Sequence, residues 1–189
     1  MSTLPWCERG AGVLLHLSSL PPGEPLAQAR RFATRIAAAG FRVWQLLPIG
    51  PSAGGRNPFA PASAFAADPA FAPRTCVIDR AAYARFREGN ADWLEDWALF
   101  AALKAACGGT PWWQWPVAIR RRQGPALANT RAALAKSIEN ARLTQFCFDA
   151  GWRALRHTLE PLGVRLFGDV PLYIARDSAD VWSHRELFE

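Results

Sequence analysis

The feature that most constrains the fold is a helix pattern flanked by two apolar segments within the first fifty residues. Residues 12–17 form a short, mostly apolar run, as expected for a buried strand. Apolar residues then recur every three or four positions over 26–37, with Pro25 before them and Gly40 after them, which is typical of a helix. Residues 41–47 are apolar again. The pattern predicts a βαβ unit in a parallel sheet that is covered on both faces.

A long loop follows the second predicted strand. From Pro48 to about Pro73 the chain is rich in Gly, Pro, Ser and Ala and has no sustained periodicity. We refer to this segment as the 48–73 loop. A loop of this length inside a compact domain is more often functional than a simple connection, so it is the first candidate for a binding surface.

Most of the remaining chain is predicted to be helical. Residues 92–95 have the form of a capping box that opens a helix ending at Gly108. Apolar residues in alternating steps of four and three predict one long helix over 126–160, with Gln145 as the only polar member of its stripe. Residues 164–167 predict a third strand. The pattern alone leaves open a small sheet with a helical subdomain or the first portion of a larger sheet.

Composition and charge argue against several classes of protein. The net charge is +6, but the basic residues are scattered apart from Arg120–Arg122, so a nucleic-acid surface is not expected. The cysteines lack zinc-ligand spacing, and we expect reduced, mostly buried thiols at Cys7, Cys76, Cys107 and Cys147. The apolar run at 11–17 is too short for a membrane span and lacks the basic flank of a signal peptide. We therefore expect a cytoplasmic protein with no membrane association.

Five segments, in this order, resemble the glycoside hydrolase family that contains amylomaltase and the plant disproportionating enzyme. The segments are residues 9–21, 40–51, 57–66, 108–116 and 168–182. The second contains W-Q-L-L-P-I-G-P, which is similar to the family's W-Q-x-L-P-L-G-P. The last reads G-D-V-P-L-Y-I-A-R-D-S-A-D-V-W and resembles the family's G-D-I-P-I-F-V-A-x-D-S-A-D-V-W. Together the matches run from about Arg9 to Phe188.

The resemblance implies a fold and a division of the chain. We expect an α/β fold, the N-terminal part of a (β/α)₈ TIM barrel with about three strands. Residues 1–70 would form the first βαβ portion with its substrate loop, residues 71–162 a mainly helical insertion between strands two and three, and residues 163–189 the third strand with the start of the next loop and helix.

The resemblance also implies a chemistry. Enzymes of this family transfer α-1,4-glucan segments between maltooligosaccharides by a retaining double displacement, which needs a nucleophilic carboxylate and an acid/base carboxylate. No metal or organic cofactor is implied. The partners are α-1,4-glucans and maltooligosaccharides, with neither nucleic acid nor membrane, and the missing C-terminal part of the barrel.

The catalytic carboxylates of the family follow its fourth, fifth and seventh strands. No position of this sequence matches them, so we assign no catalytic residue among its 16 acidic side chains. We expect a chain truncated before those carboxylates and inactive alone. The alternative is a non-catalytic α-glucan-binding module.

Four residues are predicted to contact substrate. The family places Ser and Tyr against glucosyl rings where this chain has Asn57 and Phe59, so Phe59 can stack on a sugar but lacks the hydroxyl. Gly54, Gly55 and Arg56 also depart from the family's aromatic-acidic pattern, so we expect the donor sugar to be held differently at this subsite. Asp169 follows the third strand, as either a site carboxylate or an acceptor for loop N–H groups. His16 follows the first strand, as either a sugar contact or a hydrogen-bonded packing residue.

Two further groups have structural interpretations. Asp177 and Asp180 are predicted to be an N-cap and a first-turn acid of the last helix. Trp112, Trp113 and Trp115 are predicted to tie the helical segment to the barrel, the alternative being a stacking platform for ligands.

Overall fold

The computed structural model describes residues 10–54 and 57–188. The interpretations that fall on Cys7, Arg9, Gly55, Arg56 and Glu189 therefore lie outside the described residues.

Three short parallel strands form one sheet. They are β1 (Gly12–Leu14), β2 (Val43–Gln45) and β3 (Arg165–Phe167), in the order β1-β2-β3. Val13 lies opposite Trp44, and Trp44 lies opposite Leu166. The prediction of an α/β chain with three parallel strands is confirmed.

Seven α-helices accompany the sheet in the described residues. They are α1 (Pro25–Ala38), α2 (Arg80–Gly89), α3 (Ala91–Ala106), α4 (Val117–Arg120), α5 (Gly124–Ala133), α6 (Ala135–Leu159) and α7 (Ala179–Ser183). Short 3₁₀ turns occupy Leu17–Ser19, Pro69–Phe71, Trp112–Gln114 and Arg185–Leu187. Helices α2 to α6 all lie between β2 and β3, and the boundaries at 70 and 162 remain predictions.

Helix α1 forms where the sequence predicts it. The Glu24 carboxylate accepts a hydrogen bond from the Ala27 N–H at 2.6 Å, and Pro25 occupies the first helical position. The apolar face buries Leu26, Ala29, Ala33 and Ile36. Gly40 follows the helix at φ +88°, a conformation that favours glycine.

The sheet is covered on one face only in the described residues. Trp44 is fully buried, and its indole N–H donates to the Leu15 carbonyl at 2.9 Å. On the other face Leu14 is 54% exposed and Phe167 is 57% exposed. The second face thus leaves Leu14 and Phe167 largely exposed, which differs from the expectation of a sheet covered on both faces.

Two hydrophobic clusters share helix α6. The first joins the sheet and α1 to the C-terminal half of α6, including Phe148 and Leu155. The second joins α3 to Trp112, Trp115, Trp182 and the α6 residue Ile138. Helix α6 contacts both α1 and α3, so it links the two clusters.

Several sequence expectations need correction. The single helix predicted over 126–160 is two helices, because Leu134 leaves helical geometry between them (φ −104°, ψ 16°). The capping box at 92–95 is also wrong, since α3 begins at Ala91. The Asn90 side chain instead donates to Phe86 O and accepts from the Trp93 indole N–H, which ties α2 to α3.

The three described cysteines are free thiols, as expected. Only Cys147 is buried, however, whereas Cys76 and Cys107 are partly exposed. Burial raises the pKa of Cys147 to about 12, with a further contribution from the neighbouring Cys76 thiol.

Candidate functional site

The loops that follow the three strands meet at one edge of the sheet. Parallel strands bring their carboxyl ends to the same edge, which is where ligands bind in α/β barrels. His16 comes two residues after β1, Pro48 three residues after β2 and Asp169 two residues after β3. The His16 Nε2 lies 3.2 Å from the Pro48 carbonyl oxygen, so the first two loops are in contact.

His16 is fixed in one tautomer by its hydrogen bonds. Its Nδ1 accepts from the Ser18 N–H at 3.3 Å, which leaves Nε2 as the protonated nitrogen that donates to Pro48 O. The ring also makes an edge-to-face contact with Phe71, with centroids 5.4 Å apart. These contacts are the ones expected of a hydrogen-bonded packing residue, and a contact between His16 and a sugar stays a prediction.

The tip of the 48–73 loop presents an aromatic ring. The Asn57 side-chain oxygen accepts from the Phe59 N–H at 3.0 Å and closes a local turn. Phe59 remains 40% exposed. Asn57 therefore shapes the turn, and Phe59 offers its ring to the surroundings.

The 48–73 loop is joined to the segment that follows β3. The Ala175 N–H donates to Pro61 O at 3.1 Å, and the Ala179 N–H donates to Ala62 O at 2.8 Å. The Asp180 carboxylate accepts from the Ala64 N–H at 3.1 Å. Three hydrogen bonds therefore join the 48–73 loop to the segment that follows β3.

Helix α6 is also hydrogen-bonded to the 48–73 loop. The side chain of Gln145 is 3% exposed and forms two hydrogen bonds with the backbone of Ala67. Its oxygen accepts from the Ala67 N–H and its nitrogen donates to the Ala67 carbonyl, both at 2.9 Å. The one polar residue of the α6 stripe is thus used to bind a loop.

Asp169 is half-buried at the end of β3. Among the described residues it accepts no hydrogen bond from the loop backbone, whereas Asp177 and Asp180 do. Its carboxylate is therefore not engaged in holding the loop in this structure.

The structure changes the role expected for Asp177. Ser178 caps α7, because its hydroxyl accepts from the Val181 N–H at 3.1 Å. Asp177 instead pairs with Lys104 at 2.7 Å and accepts from the Trp112 N–H at 3.2 Å. Asp180 is the first-turn acid, as predicted, and burial raises its pKa although the bond from Ala64 acts in the opposite direction.

The tryptophans tie the helical segment to the chain after β3. Trp112 and Trp115 are buried, and the Trp112 indole N–H donates to Arg176 O at 2.6 Å. Trp115 contacts Trp182 of α7 edge to face, with centroids 5.4 Å apart. These contacts agree with a structural tie.

An apolar groove lies beside the joined loops. It has a volume of about 540 Å³, and its lining includes Phe65, Trp93, Leu172, Tyr173 and Leu187. Leu172 is 89% exposed and Tyr173 is 75% exposed. Such exposure of large apolar side chains marks a surface suited to protein contact.

Residues 10–54 and 57–188 contain no group of three or more His, Cys, Asp or Glu side chains placed to hold a metal ion. No helix within them has the length and apolar character needed to cross a membrane.

Comparison with known proteins gives one consistent family. The profile described as 4-alpha-glucanotransferase matches residues 71–189. The chain belongs to the 4-alpha-glucanotransferase family. It is 36% identical to the 4-alpha-glucanotransferase of Thermus thermophilus, over 95% of this chain and 46% of the relative, and 30% identical to that of Synechocystis, over 96% and 46%.

The fold agrees with this family. The amylomaltase of Streptococcus agalactiae, solved in complex with acarbose, superposes with a TM-score of 0.82 and 26% identity, over 96% of this chain and 47% of the amylomaltase. The chain spans about half the length of the 4-alpha-glucanotransferases it matches.

Two contacts at the site were not predicted from the sequence: that between Gln145 and Ala67, and that between Ala64 and Asp180. Gln145 stood out as a lone polar residue on an apolar stripe, which is the usual sign of a buried side chain with a specific partner. The bond from Ala64 to Asp180 joins residues 116 positions apart in the chain, and no local pattern signals it.

Proposed function

We propose that these residues supply the sugar-holding loops of a 4-α-glucanotransferase. The complete enzyme would break an α-1,4 bond of a donor glucan and pass the segment to the 4-hydroxyl of an acceptor, by a retaining double displacement. The supporting observation is that this family member gathers the loops after β1, β2 and β3 at one edge of its sheet.

Each candidate residue has a role in this proposal. The exposed ring of Phe59 stacks on the apolar face of a glucosyl unit, and Asn57 holds the turn that presents it. Asp169 accepts hydrogen bonds from sugar hydroxyls, since no described residue donates a hydrogen bond to its carboxylate. His16 holds the β1 loop against Pro48 and lies at the border of the sugar site.

The substrates in this proposal are α-1,4-glucans and maltooligosaccharides. The nucleophile and the acid/base carboxylate belong to the part of the family's length that this chain does not span. The proposed setting is the cytoplasm, in keeping with the free thiols at Cys76, Cys107 and Cys147.

The proposed architecture is that of the first three strands of a (β/α)₈ barrel. Residues 71–162 would form a mainly helical insertion between strands two and three. The exposed side chains of Leu14 and Phe167 support this proposal, because a barrel interior would cover that face of the sheet.

The same reasoning identifies a partner surface. The exposed sheet face and the apolar groove beside Leu172 would be covered by a polypeptide equivalent to the C-terminal half of the family. A second cavity, lined by Trp152, Arg156 and Leu166, adjoins β3 and would be covered by the same polypeptide.

A mixing experiment tests the proposal. The 189-residue chain, the C-terminal half of the Thermus thermophilus relative and their mixture are each incubated with maltotriose, and the products are separated by chromatography. Glucose and longer maltooligosaccharides are expected only in the mixture. The Asp169→Asn variant should reduce the rate, whereas Glu88→Gln, an exposed change on α2, should not.

Other outcomes would count against the proposal. Products from the 189-residue chain alone would show that the assignment of the chemistry to the other half is wrong. A mixture that neither binds maltoheptaose nor forms products would refute the proposed function.

The second candidate is a non-catalytic α-glucan-binding module. The observation that favours it is the exposed Phe59 ring in a chain to which no catalytic carboxylate is assigned. Micromolar binding of maltoheptaose by the chain alone, with no products in the mixture, would support this candidate over the enzyme.

A further inference from the structure

We propose that Gln145 is a positioning residue. Its two hydrogen bonds to Ala67 fix the position of the 48–73 loop relative to α6, and the position of the loop in turn fixes that of Phe59 in the sugar site. This inference rests on the proposed function. It names a residue on a remote helix through which α6 would control sugar affinity.

The hydrogen bonds between Gln145 and Ala67 resemble those between two β-strands, except that one of the two partners is a side chain. The Gln145 amide offers one donor and one acceptor, and both are used by the backbone of a single residue, Ala67, at 2.9 Å each. Two bonds to one residue fix both the position and the orientation of the peptide units on either side of it. A glutamine that merely filled space on an apolar stripe would not need this match.

The contact is also shielded from water. Gln145 is 3% exposed, Ala66 is 3% exposed and Ala67 is 7% exposed. Water therefore cannot replace the amide if the side chain is removed, and the Ala67 N–H and carbonyl would lose their partners in a buried place.

Ala67 lies where the two hydrophobic clusters meet. Ala66 packs in the cluster around α3, and Ala67 packs in the cluster around the sheet. A shift of Ala67 would therefore move the loop relative to both clusters. Phe59 lies eight positions earlier on the same loop, on the far side of the bonds from Ala175 and Ala179 to Pro61 and Ala62.

Three variants of one position test the inference in the 189-residue chain. Gln145→Leu keeps the size but removes both bonds, and we expect maltoheptaose affinity to fall by about tenfold or more. Amide hydrogen exchange should increase over residues 57–67 but not in β2. Gln28→Leu is the matched control, because Gln28 is a helical glutamine that donates to a loop carbonyl, Pro22 O, at 3.2 Å in an exposed place.

Gln145→Glu adds a pH-dependent readout that Gln145→Leu cannot give, and the exchange at residues 57–67 compared with β2 separates a local effect from a general loss of stability. The ionised carboxylate can accept from the Ala67 N–H but repels the Ala67 carbonyl, whereas the protonated form can donate to it. Maltoheptaose affinity of this variant should recover as the pH is lowered from 8 to 5, while that of the original protein changes little.

The outcomes separate the two proposals. If neither the unmodified chain nor its mixture with the C-terminal half of the Thermus thermophilus relative binds maltoheptaose, the proposed function fails, and the role of Gln145 in sugar binding fails with it. If the unmodified chain binds and Gln145→Leu binds equally well, only the positioning role is refuted. Weaker binding without greater exchange at 57–67, or without the pH recovery in Gln145→Glu, would also refute it.

Discussion

At the scale of single residues, Phe59 carries the clearest departure from the family pattern. The ring is exposed, and in the proposed function it stacks on a sugar without the hydroxyl of the tyrosine that the resemblance implies at this position. Replacing Phe59 by Tyr should increase maltoheptaose affinity about fivefold, which corresponds to one net hydrogen bond of about 1 kcal/mol. Phe59→Ala should reduce affinity at least as much, as measured by calorimetric titration. Equal affinities for all three forms would remove Phe59 from the site.

Asp180 gives a prediction about pH. Burial raises its pKa, so the folded state holds this proton more tightly than the unfolded state does. The free energy of unfolding therefore falls as the pH rises from the ordinary pKa of the carboxyl, about 4, through the raised value in the folded state.

Asp180→Asn removes this ionisation but keeps an oxygen that can accept from the Ala64 N–H. The melting temperature of the variant should decrease less between pH 4 and pH 7 than that of the original protein. At pH 7 the variant should be at least as stable. Thermal melts followed by circular dichroism measure both, and an unchanged slope would contradict the role assigned to burial.

At the scale of secondary structure elements, one ion-pair network joins α3 to α6. Arg142 of α6 binds Glu95 of α3 and also pairs with Glu139 at 3.0 Å, and its side chain is only 15% exposed. Tyr83 of α2 donates to Glu139 at 2.7 Å, and the pKa of Tyr83 is raised, first by burial and then by this bond. The network therefore holds three helices together.

Removing Arg142 should be costly because Glu95 and Glu139 would remain partly buried without their main partner. Arg142→Ala should lower the free energy of unfolding by about 2–3 kcal/mol. The matched control is Arg153→Ala on the same helix, whose pair with Asp149 is 71% exposed on the arginine side and should be worth less than about 0.5 kcal/mol. Urea titration measures both, and equal losses would show that the network adds nothing beyond an exposed pair.

Local patterns predicted some elements well and others poorly. The strand, helix and strand up to Gln45 follow from apolar spacing that is complete within a few residues, and Pro25 and Gly40 mark the ends of α1. The break at Leu134 was missed because the apolar spacing continues through it, so only the backbone conformation of Leu134 reveals it.

The candidate site was less predictable than the fold. Loop positions after β1, β2 and β3 follow from the parallel order of the strands. The partners of Gln145, Asp177 and Asp180 lie far away in the chain. Neighbouring side chains also compete for the same partner: Ser178 rather than Asp177 caps α7, and Asp177 pairs with Lys104 instead. Such choices depend on distances that exist only after folding.

At the scale of the whole molecule, we expect the exposed apolar groove to govern self-association of the chain. Leu172 is 89% exposed and Leu187 is 73% exposed beside the same groove. Replacing both by Ser should reduce self-association of the chain, as measured by light scattering at increasing concentration.

The same double variant should also form less product in the mixture with the C-terminal half of the Thermus thermophilus relative. The control is Val77→Ser, a change at a side chain that is 93% exposed but lies outside the groove. Reduced self-association with full activity in the mixture would show that this groove does not receive the other half.

Helix α6 has a consequence for how the chain unfolds. It runs from Ala135 to Leu159, contributes Ile138 to one hydrophobic cluster and Leu155 to the other, and holds Ala67 between them. Neither cluster can come apart without disturbing this helix. A calorimetric scan of the chain should therefore show a single heat-absorption peak, with a van't Hoff enthalpy equal to the calorimetric one, despite the two separate apolar interiors.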